Sequence, residues 1–319
     1  MHKKIVLSLS HIDLDGISCQ IVLRNLYGDI RRMNTTYGKI NEYLNIIEDY
    51  ISRIEPDEVF ITDLAFKLDQ IERLNEIASK NENTNFTFID HHPFGEEYKH
   101  LNRDNFKIII TDKASATKLT YFYLKKRYPE IENKELSKYV DYVNAYDIWL
   151  KDEKEFKVGF VYNELFWSYK IEYFWSIFKD NYKLRNKDKE KYKDILSKKN
   201  KLFNKLENSG RVMKFSNRIL LIFLDDYQSF VTIDYPDFLF YVIVRSTGGI
   251  SVRLNEEITN YNIKDNIVQK ILKLPYIEEA GGHEGAFGIS VIDSNPHILV
   301  EFSKILVQYI DEELENINK

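Results

Sequence analysis

Four short apolar runs, each closing on an acid or a histidine, constrain this chain more than any other feature. They are "KIVLSLSHIDLDG" (residues 4–16), "EVFITDL" (58–64), "NFTFIDHH" (85–92) and "KIIITD" (107–112). Their apolar parts are rich in Val, Ile, Phe and Thr and about four to eight residues long, which is the composition and length of strands. Between them, "DGISCQIVLRNLYG", "KLDQIERLNEIASKN" and "ASATKLTYFYLKKRY" space apolar residues as helices do. Strand and helix in alternation predict a mainly parallel sheet with helices on both faces. In such sheets ligands bind at the carboxyl ends of the strands. The polar residues of this chain sit at those ends.

With 319 residues the chain is long enough for two cores. From about Glu132 to Lys214 it turns helical and aromatic, and its later part is dominated by lysine. That part reads as a solvated helical pair, with a basic arm beside an anionic substrate as the sharper alternative. Strand patterns return in "RILLIFLD", "FLFYVIVRS" and "GGISVRLN", followed by the glycine-rich "EEAGGHEGAFGISV" and the amphipathic "HILVEFSKILVQYIDEELENI". The expected division is a catalytic domain over 1–150, a helical connector over 151–211 and a smaller α/β substrate-binding domain over 212–319.

The net charge of −5 argues against a charge-driven grip on long nucleic acid, which needs many Lys and Arg on phosphates. It leaves room for a short phosphorylated substrate. No apolar run reaches the length of a membrane span, and the basic start runs into acids rather than a cleavage site. The lone Cys19 forms no internal disulfide or thiolate cluster. A cytoplasmic setting follows as the expectation, with any metal held by His and carboxylate and with Cys19 read as a small buried apolar residue.

In "HIDLDG", His11, Asp13 and Asp15 alternate, so their side chains can converge while Ile12 and Leu14 turn to the core. The competing reading is a turn in which Asp15 and Gly16 merely open the next helix. Asp63 follows an apolar strand directly, a position also typical of a helix N-cap. Asp90, His91 and His92 stand in succession at another strand end, an arrangement uncommon as pure structure. Asp147, in the aromatic "NAYDIW", is costly to bury unless paired, hydrogen-bonded or metal-bound, and Asp141 competes with it. Two histidines and four aspartates without thiolate suit Mn²⁺, Mg²⁺ or Zn²⁺, with the mixture leaning toward Mn²⁺. Two such ions about 3.5–4 Å apart acidify a water and clamp a phosphoryl group for in-line attack. The chemistry expected is phosphoester hydrolysis.

The ordered set "SHIDLDG", "ITDLA", "IDHHP", "AYDIW" and "GGHEGAFG" resembles the DHH phosphoesterase superfamily with a DHH-associated C-terminal domain, over nearly the whole chain. That group holds RecJ-type exonucleases, nanoRNases and cyclic-dinucleotide phosphodiesterases. The resemblance implies two Mn²⁺ ions, with Mg²⁺ or another divalent ion as substitutes. His11 and Asp13 would hold one, Asp15, His91 and Asp147 the other, and Asp63 would bridge them. It further implies that His92 faces the phosphate or leaving group and that Asp90 orients a histidine.

In the second domain, Gly281 and Gly282 would let backbone approach an anion, with His283 donating to phosphate or stacking on a base. By the resemblance, Arg253 in "TGGISVRLN" is the phosphate-binding arginine. Without it, Arg253 reads as a surface residue. Ala280, Glu284 and Phe287 depart from the usual pattern around that histidine, which bears on substrate choice.

The short His-x-Asp-x-Asp-Gly spacing resembles RecJ and the nanoRNase B branch. No oligonucleotide-binding barrel is expected after the last motif, so short RNA oligonucleotides or dinucleotides are the expected substrates. The alternatives are a cyclic mono- or dinucleotide phosphodiesterase, a RecJ-like single-strand DNA exonuclease, a pyrophosphatase or polyphosphatase, and a non-catalytic nucleotide-binding module. No membrane partner is expected, and a homodimer stays open.

Overall fold

Val6–His11 forms the first strand, β1, and the chain then alternates helix and strand: α1 (Leu14–Tyr27), β2 (Arg31–Thr35), α2 (Ile40–Ile54), β3 (Glu58–Thr62), α3 (Leu68–Lys80), β4 (Asn85–Asp90), β5 (Phe106–Ile110) and α4 (Ala116–Arg127). This computed structural model describes residues 4–92, 96–216, 218–224, 238–254, 263–283, 286–293 and 295–317. The five strands pair in parallel in the order β2-β1-β3-β4-β5. Successive side chains of a strand point to opposite faces, and each face has its own helical cover. Leu7, Leu9, Val59, Ile61, Phe86 and Phe88 bury against Leu44, Ile47 and Ile51 of α2 and Ile71, Leu74 and Ile77 of α3. The other face is covered by α1 and α4, whose Ile17, Ile21, Tyr121 and Leu124 are buried. Each such side chain contributes about 1.5–3 kcal/mol by leaving water.

The α/β architecture read from the sequence is therefore present. One strand, β2, is not marked by the sequence patterns: "RRMNT" begins with two arginines, and the strand lies at the sheet edge where its first residue is exposed.

Helices α5 (Lys134–Asp147), α6 (Lys154–Tyr169), α7 (Ile171–Phe178) and α8 (Asn186–Asn208) follow. Asn133 caps α5, its Oδ1 accepting from the amides of Glu135 and Leu136 at 2.9 and 3.3 Å. Helix α6 lies so close to α5 that a Cβ on Gly159 would stand 2.0 Å from the Tyr142 carbonyl oxygen. Only glycine permits this approach, which braces the helix that ends in Asp147.

Compact units cover Met1–Tyr192 and Lys193–Lys319, with the boundary inside α8. The second unit contains β6 (Val212–Phe215), β7 (Ile219–Leu224), β8 (Phe240–Arg245), β9 (Gly249–Leu254), α9 (Ile263–Ile271), β10 (Ile277–His283), β11 (Ala286–Val291) and α10 (Pro296–Ile317). Its sheet runs β10-β11-β9-β8-β7-β6 and is antiparallel except between β7 and β8. Val242, Val252, Phe287 and Ile289 pack on one face with Phe302, Leu306 and Ile310 of α10. Among the described residues, no helix is long and apolar enough to cross a membrane.

Candidate active site

Three strand ends and one helix end of the first unit deliver the polar residues to a single cluster. His11 closes β1, Asp63 follows β3, Asp90 closes β4 with His91 and His92 after it, and Asp147 is the last residue of α5. Three sets of possible ligand atoms lie within 4.8 Å of one another: His11, Asp13 and Asp63; Asp15, His91 and Asp147; Asp63, His91 and His92. Asp63 is common to two sets that reach opposite sides of the cluster. Its Oδ1 is 3.4 Å from His91 Nε2 and its Oδ2 is 4.0 Å from His11 Nδ1. His91 Nε2 also lies 3.3 Å from Asp147 Oδ2 and 3.9 Å from Asp15 Oδ2.

Local structure fixes each carboxylate. Asp13 caps α1, its Oδ1 accepting from the Gly16 amide at 2.9 Å while its Oδ2 takes the His11 Nδ1 hydrogen bond at 2.8 Å. Asp15 faces the start of α4, where its two oxygens accept from the amides of Ala116 and Thr117 at 2.8 and 3.1 Å. Those donors belong to a helix N-terminus, whose partial positive charge suits an anion. Asn144 of α5 braces the same corner by accepting from the Ser115 amide at 2.9 Å. Asp63 adopts the left-handed conformation with φ 57°, uncommon for a residue other than glycine though tolerated by aspartate. The next helix starts at Leu68, with Lys67 in the N-cap position and its amide donating to Gln70 Oε1 at 2.9 Å, so Asp63 is not a helix cap. Asp141 pairs instead with Lys118 at 3.1 Å, on the surface.

Asp90 accepts from His92 Nδ1 at 2.8 Å. On the far side of that ring, His92 Nε2 and the Tyr37 hydroxyl are 3.2 Å apart. Tyr37 also stacks on His11, with ring centroids 4.5 Å apart and planes at 25°. Asn34 donates from Nδ2 to the His11 carbonyl oxygen at 3.0 Å. Sequence reasoning missed both Tyr37 and Asn34. They belong to β2 and the turn after it, so a strand assignment for "RRMNT" would have put them at the same rim.

Burial, then the charges of Asp13, Asp15 and Asp147, push the Asp63 carboxyl well above its ordinary range. Burial, then Asp15, Asp13 and Asp90, does the same to Asp147. Asp15 is raised by burial against the pull of His91. Burial also opposes ionisation of Asp13, but the His11 charge and the hydrogen bonds from His11 and Gly16 outweigh it and hold that carboxyl low. His91 is lowered by burial and by its neighbour His92. His92 is raised, because the Asp90 charge and hydrogen bond overcome the cost of burial.

The donor set fits divalent cations on two counts. Asp63 Oδ2 and Asp147 Oδ2 are buried without a hydrogen-bond partner, a condition native proteins rarely leave uncompensated. The ligand atoms are imidazole nitrogens and carboxylate oxygens, which suit hard to borderline divalent ions.

The other four residues singled out in the sequence lie in the second unit. Gly281, Gly282 and His283 end β10, and Arg253 stands in β9. His283 pairs with Ala286 and Ala286 with Arg253, so the histidine and the arginine share one transverse row of the sheet, two strands apart. Glu284 lies outside the described residues.

The site is thus a His and Asp cluster at the carboxyl rim of a parallel sheet. No protein-family model matches the chain. It is 33% identical over 167 residues to a 3′,5′-cyclic-nucleotide phosphodiesterase of Helicobacter pylori, covering 48% of this chain and 46% of that protein. It is 30% identical over 172 residues to oligoribonuclease NrnB of Bacillus subtilis, covering 52% of this chain and 42% of that protein. The matches thus span under half the length of either relative. The solved structure of exonuclease RecJ bound to manganese has the same fold, with TM-score 0.53 and 12% identity over 97% of this chain and 90% of that one. The likeness to the two relatives agrees with the family resemblance of the motifs, and the likeness to RecJ is one of fold.

Proposed function

We propose that the chain is a divalent-metal-dependent phosphodiesterase that releases mononucleotides from very short RNA. One observation carries the reading: His11, Asp13, Asp15, Asp63, His91 and Asp147 converge at one rim with two buried carboxylate oxygens that accept no hydrogen bond. His11 and Asp13 would hold one ion and Asp15, His91 and Asp147 the other, with Asp63 between; Mn²⁺ is the proposed metal, two ions the proposed number. When bound, such ions supply Lewis-acid charge and an acidified water for in-line displacement at phosphorus.

The chain's own residues do the rest. Asp90 orients His92 and favours its charged form, so that its Nε2 can donate to a phosphate oxygen in place of Tyr37. Tyr37 holds the His11 ring by stacking, and the α4 N-terminus keeps Asp15 ionisable. In the proposed division of labour, residues 1–150 carry the chemistry and 151–211 connect. Residues 212–319 then bind substrate through Arg253, Gly281, Gly282 and His283. The proposed setting is the cytoplasm, consistent with a single, buried Cys19.

The name of the Helicobacter relative favours a second reading, hydrolysis of a cyclic nucleotide. The test is product analysis over time with Mn²⁺, offering an RNA dinucleotide, a five-nucleotide RNA, a long single-stranded DNA and a cyclic nucleotide at matched concentrations. Fastest turnover of the two short RNAs is the expected result. Preference for the cyclic substrate would replace this reading with the second, and turnover of none would overturn both.

A further inference from the structure

Beside the acidic cluster, and wholly within the first unit, lies a cavity of about 580 Å³ that the metal chemistry leaves unused. We propose that it is a subsite for one nucleotide, the base lying against Trp167 and Tyr43 and the phosphate reaching Lys170 and Arg32. The inference rests on the phosphodiesterase reading for the identity of its ligand.

Position is the first argument. Ile12, which lines the cavity, stands between His11 and Asp13, and Asn34, which also lines it, donates to the His11 carbonyl. The cavity therefore shares its floor with the backbone that carries two of the candidate metal ligands.

The second argument is the chemistry of the walls. The volume falls in the range of small-molecule sites, about 300–1,000 Å³. Tyr43 and Trp167 are half-buried, so each ring is fixed in the wall with part of its surface open. Aromatic rings held this way are sequence-tolerant platforms for bases. Arg32 is already held rigid, its guanidinium 4.0 Å above the Trp175 ring and 2.7 Å from Glu172. That pairing leaves the exposed Lys170 as the uncompensated cation of the lining.

Lys170 adds a third observation. It links α6 to α7 with φ 62° and ψ 159°, a conformation costly for any residue but glycine. A lysine stands where glycine would be easier. Its charge at the cavity mouth gives a reason.

The test is equilibrium binding of 5′-AMP to the full-length protein in EDTA, followed by calorimetry, with ribose 5-phosphate as the ligand lacking a base. Wild type should bind 5′-AMP saturably and ribose 5-phosphate about tenfold more weakly or worse. Trp167→Ala and Lys170→Ala should each weaken 5′-AMP by about tenfold or more, the loss of one base-stacking or one phosphate contact. Lys170 is exposed, so its variant should fold even where Trp167→Ala does not, and it then decides alone. Wild-type affinity in Lys170→Ala and in a folded Trp167→Ala would overturn the subsite, as would equal affinity for the two ligands. Failure of the functional reading is separable: binding lost in the variants of a protein that cleaves no dinucleotide leaves the subsite standing. Conversely, dinucleotide cleavage with unchanged KM in both variants removes the subsite and keeps the function.

Discussion

Replacing Gly16 by alanine should damage both the fold and the site, because α1 is pressed against the strand that ends in His11. A Cβ at this position would stand 2.4 Å from the His11 carbonyl oxygen, 2.8 Å from its carbon and 2.9 Å from its nitrogen. All three are backbone atoms of a buried strand, so none can swing aside. Real Cβ contacts stay above 3.0 Å, and the helix must therefore retreat by at least about 0.6 Å. In an open helix this substitution would gain about 1 kcal/mol of propensity. Overpacking costs about 1–3 kcal/mol, and against rigid backbone the upper part of that range applies. A net loss of about 1–2 kcal/mol is expected, which for a unit of this size lowers Tm by about 2–8 °C. The retreat also pulls on the Asp13 cap, whose Oδ1 accepts from the Gly16 amide, and on Ser10, whose Oγ lies 2.8 Å from the Gly16 carbonyl. Displacing candidate ligands by half an ångström should lower kcat/KM by about ten- to a hundredfold. Thermal melts and dinucleotide hydrolysis measure the two effects, with Gly38→Ala, which meets nothing within 4 Å, as the neutral control. A Gly16→Ala protein as stable and as active as wild type would refute the close approach and the coupling drawn from it.

Asp63→Asn should abolish turnover and yet raise the Tm of the metal-free protein. Because the folded pKa of Asp63 is raised, its favourable contribution is complete below the unfolded value of about 3.9 and is lost as pH rises through the folded one. The gain over wild type should thus be absent near pH 4 and grow toward pH 8, as melts in EDTA would show. Metal binding near neutral pH should release protons, since the raised Asp63 and Asp147 carboxyls must ionise to coordinate; calorimetry in buffers of different ionisation enthalpy reads the number, and zero release would contradict the shifts. Tyr37→Phe keeps the stack on His11 but loses the hydroxyl that the phosphate displaces from His92, so kcat should stay within about threefold of wild type with metal affinity unchanged in a Mn²⁺ titration. Arg253→Ala should raise KM more than it lowers kcat, as loss of uniform substrate binding does, and steady-state kinetics on a dinucleotide will tell.

What the sequence reveals about this rim follows from how local each signal is. His11, Asp63 and Asp90 are legible because each ends an apolar run whose residues announce a strand without reference to anything else. The strand Arg31–Thr35 is not: it lies at the edge, its side chains are half-wet, and its pairing with Val6–His11 supplies the order that its composition does not. With the strand go Tyr37 and Asn34, which touch His11 only because the two strands are neighbours. The grip of Ala116 and Thr117 on Asp15 crosses about a hundred residues, and no periodicity carries that distance. In the second unit, the glycine-rich "IEEAGGH" carries no strand signal and is a strand all the same, because its ladder to Ala286–Val291 outweighs the poor strand propensity of two glycines.

These same long-range contacts explain why so acidic a cluster can sit inside a folded unit. Four carboxylates at one rim repel one another and cost free energy to bury. The protein compensates two of them itself: Asp13 through His11 and the Gly16 amide, and Asp15 through the first amides of α4. It leaves Asp63 and Asp147 each with a buried oxygen that accepts no hydrogen bond. Completing those two with amides would have stabilised the apo-protein and removed the free lone pairs that a cation needs. The uncompensated pair spans both ligand sets, Asp63 beside His11 and His91 and Asp147 beside His91. The cost of burying these carboxylates and the affinity of the rim for positive charge are therefore one property, held by the two residues that the fold leaves short of a hydrogen bond.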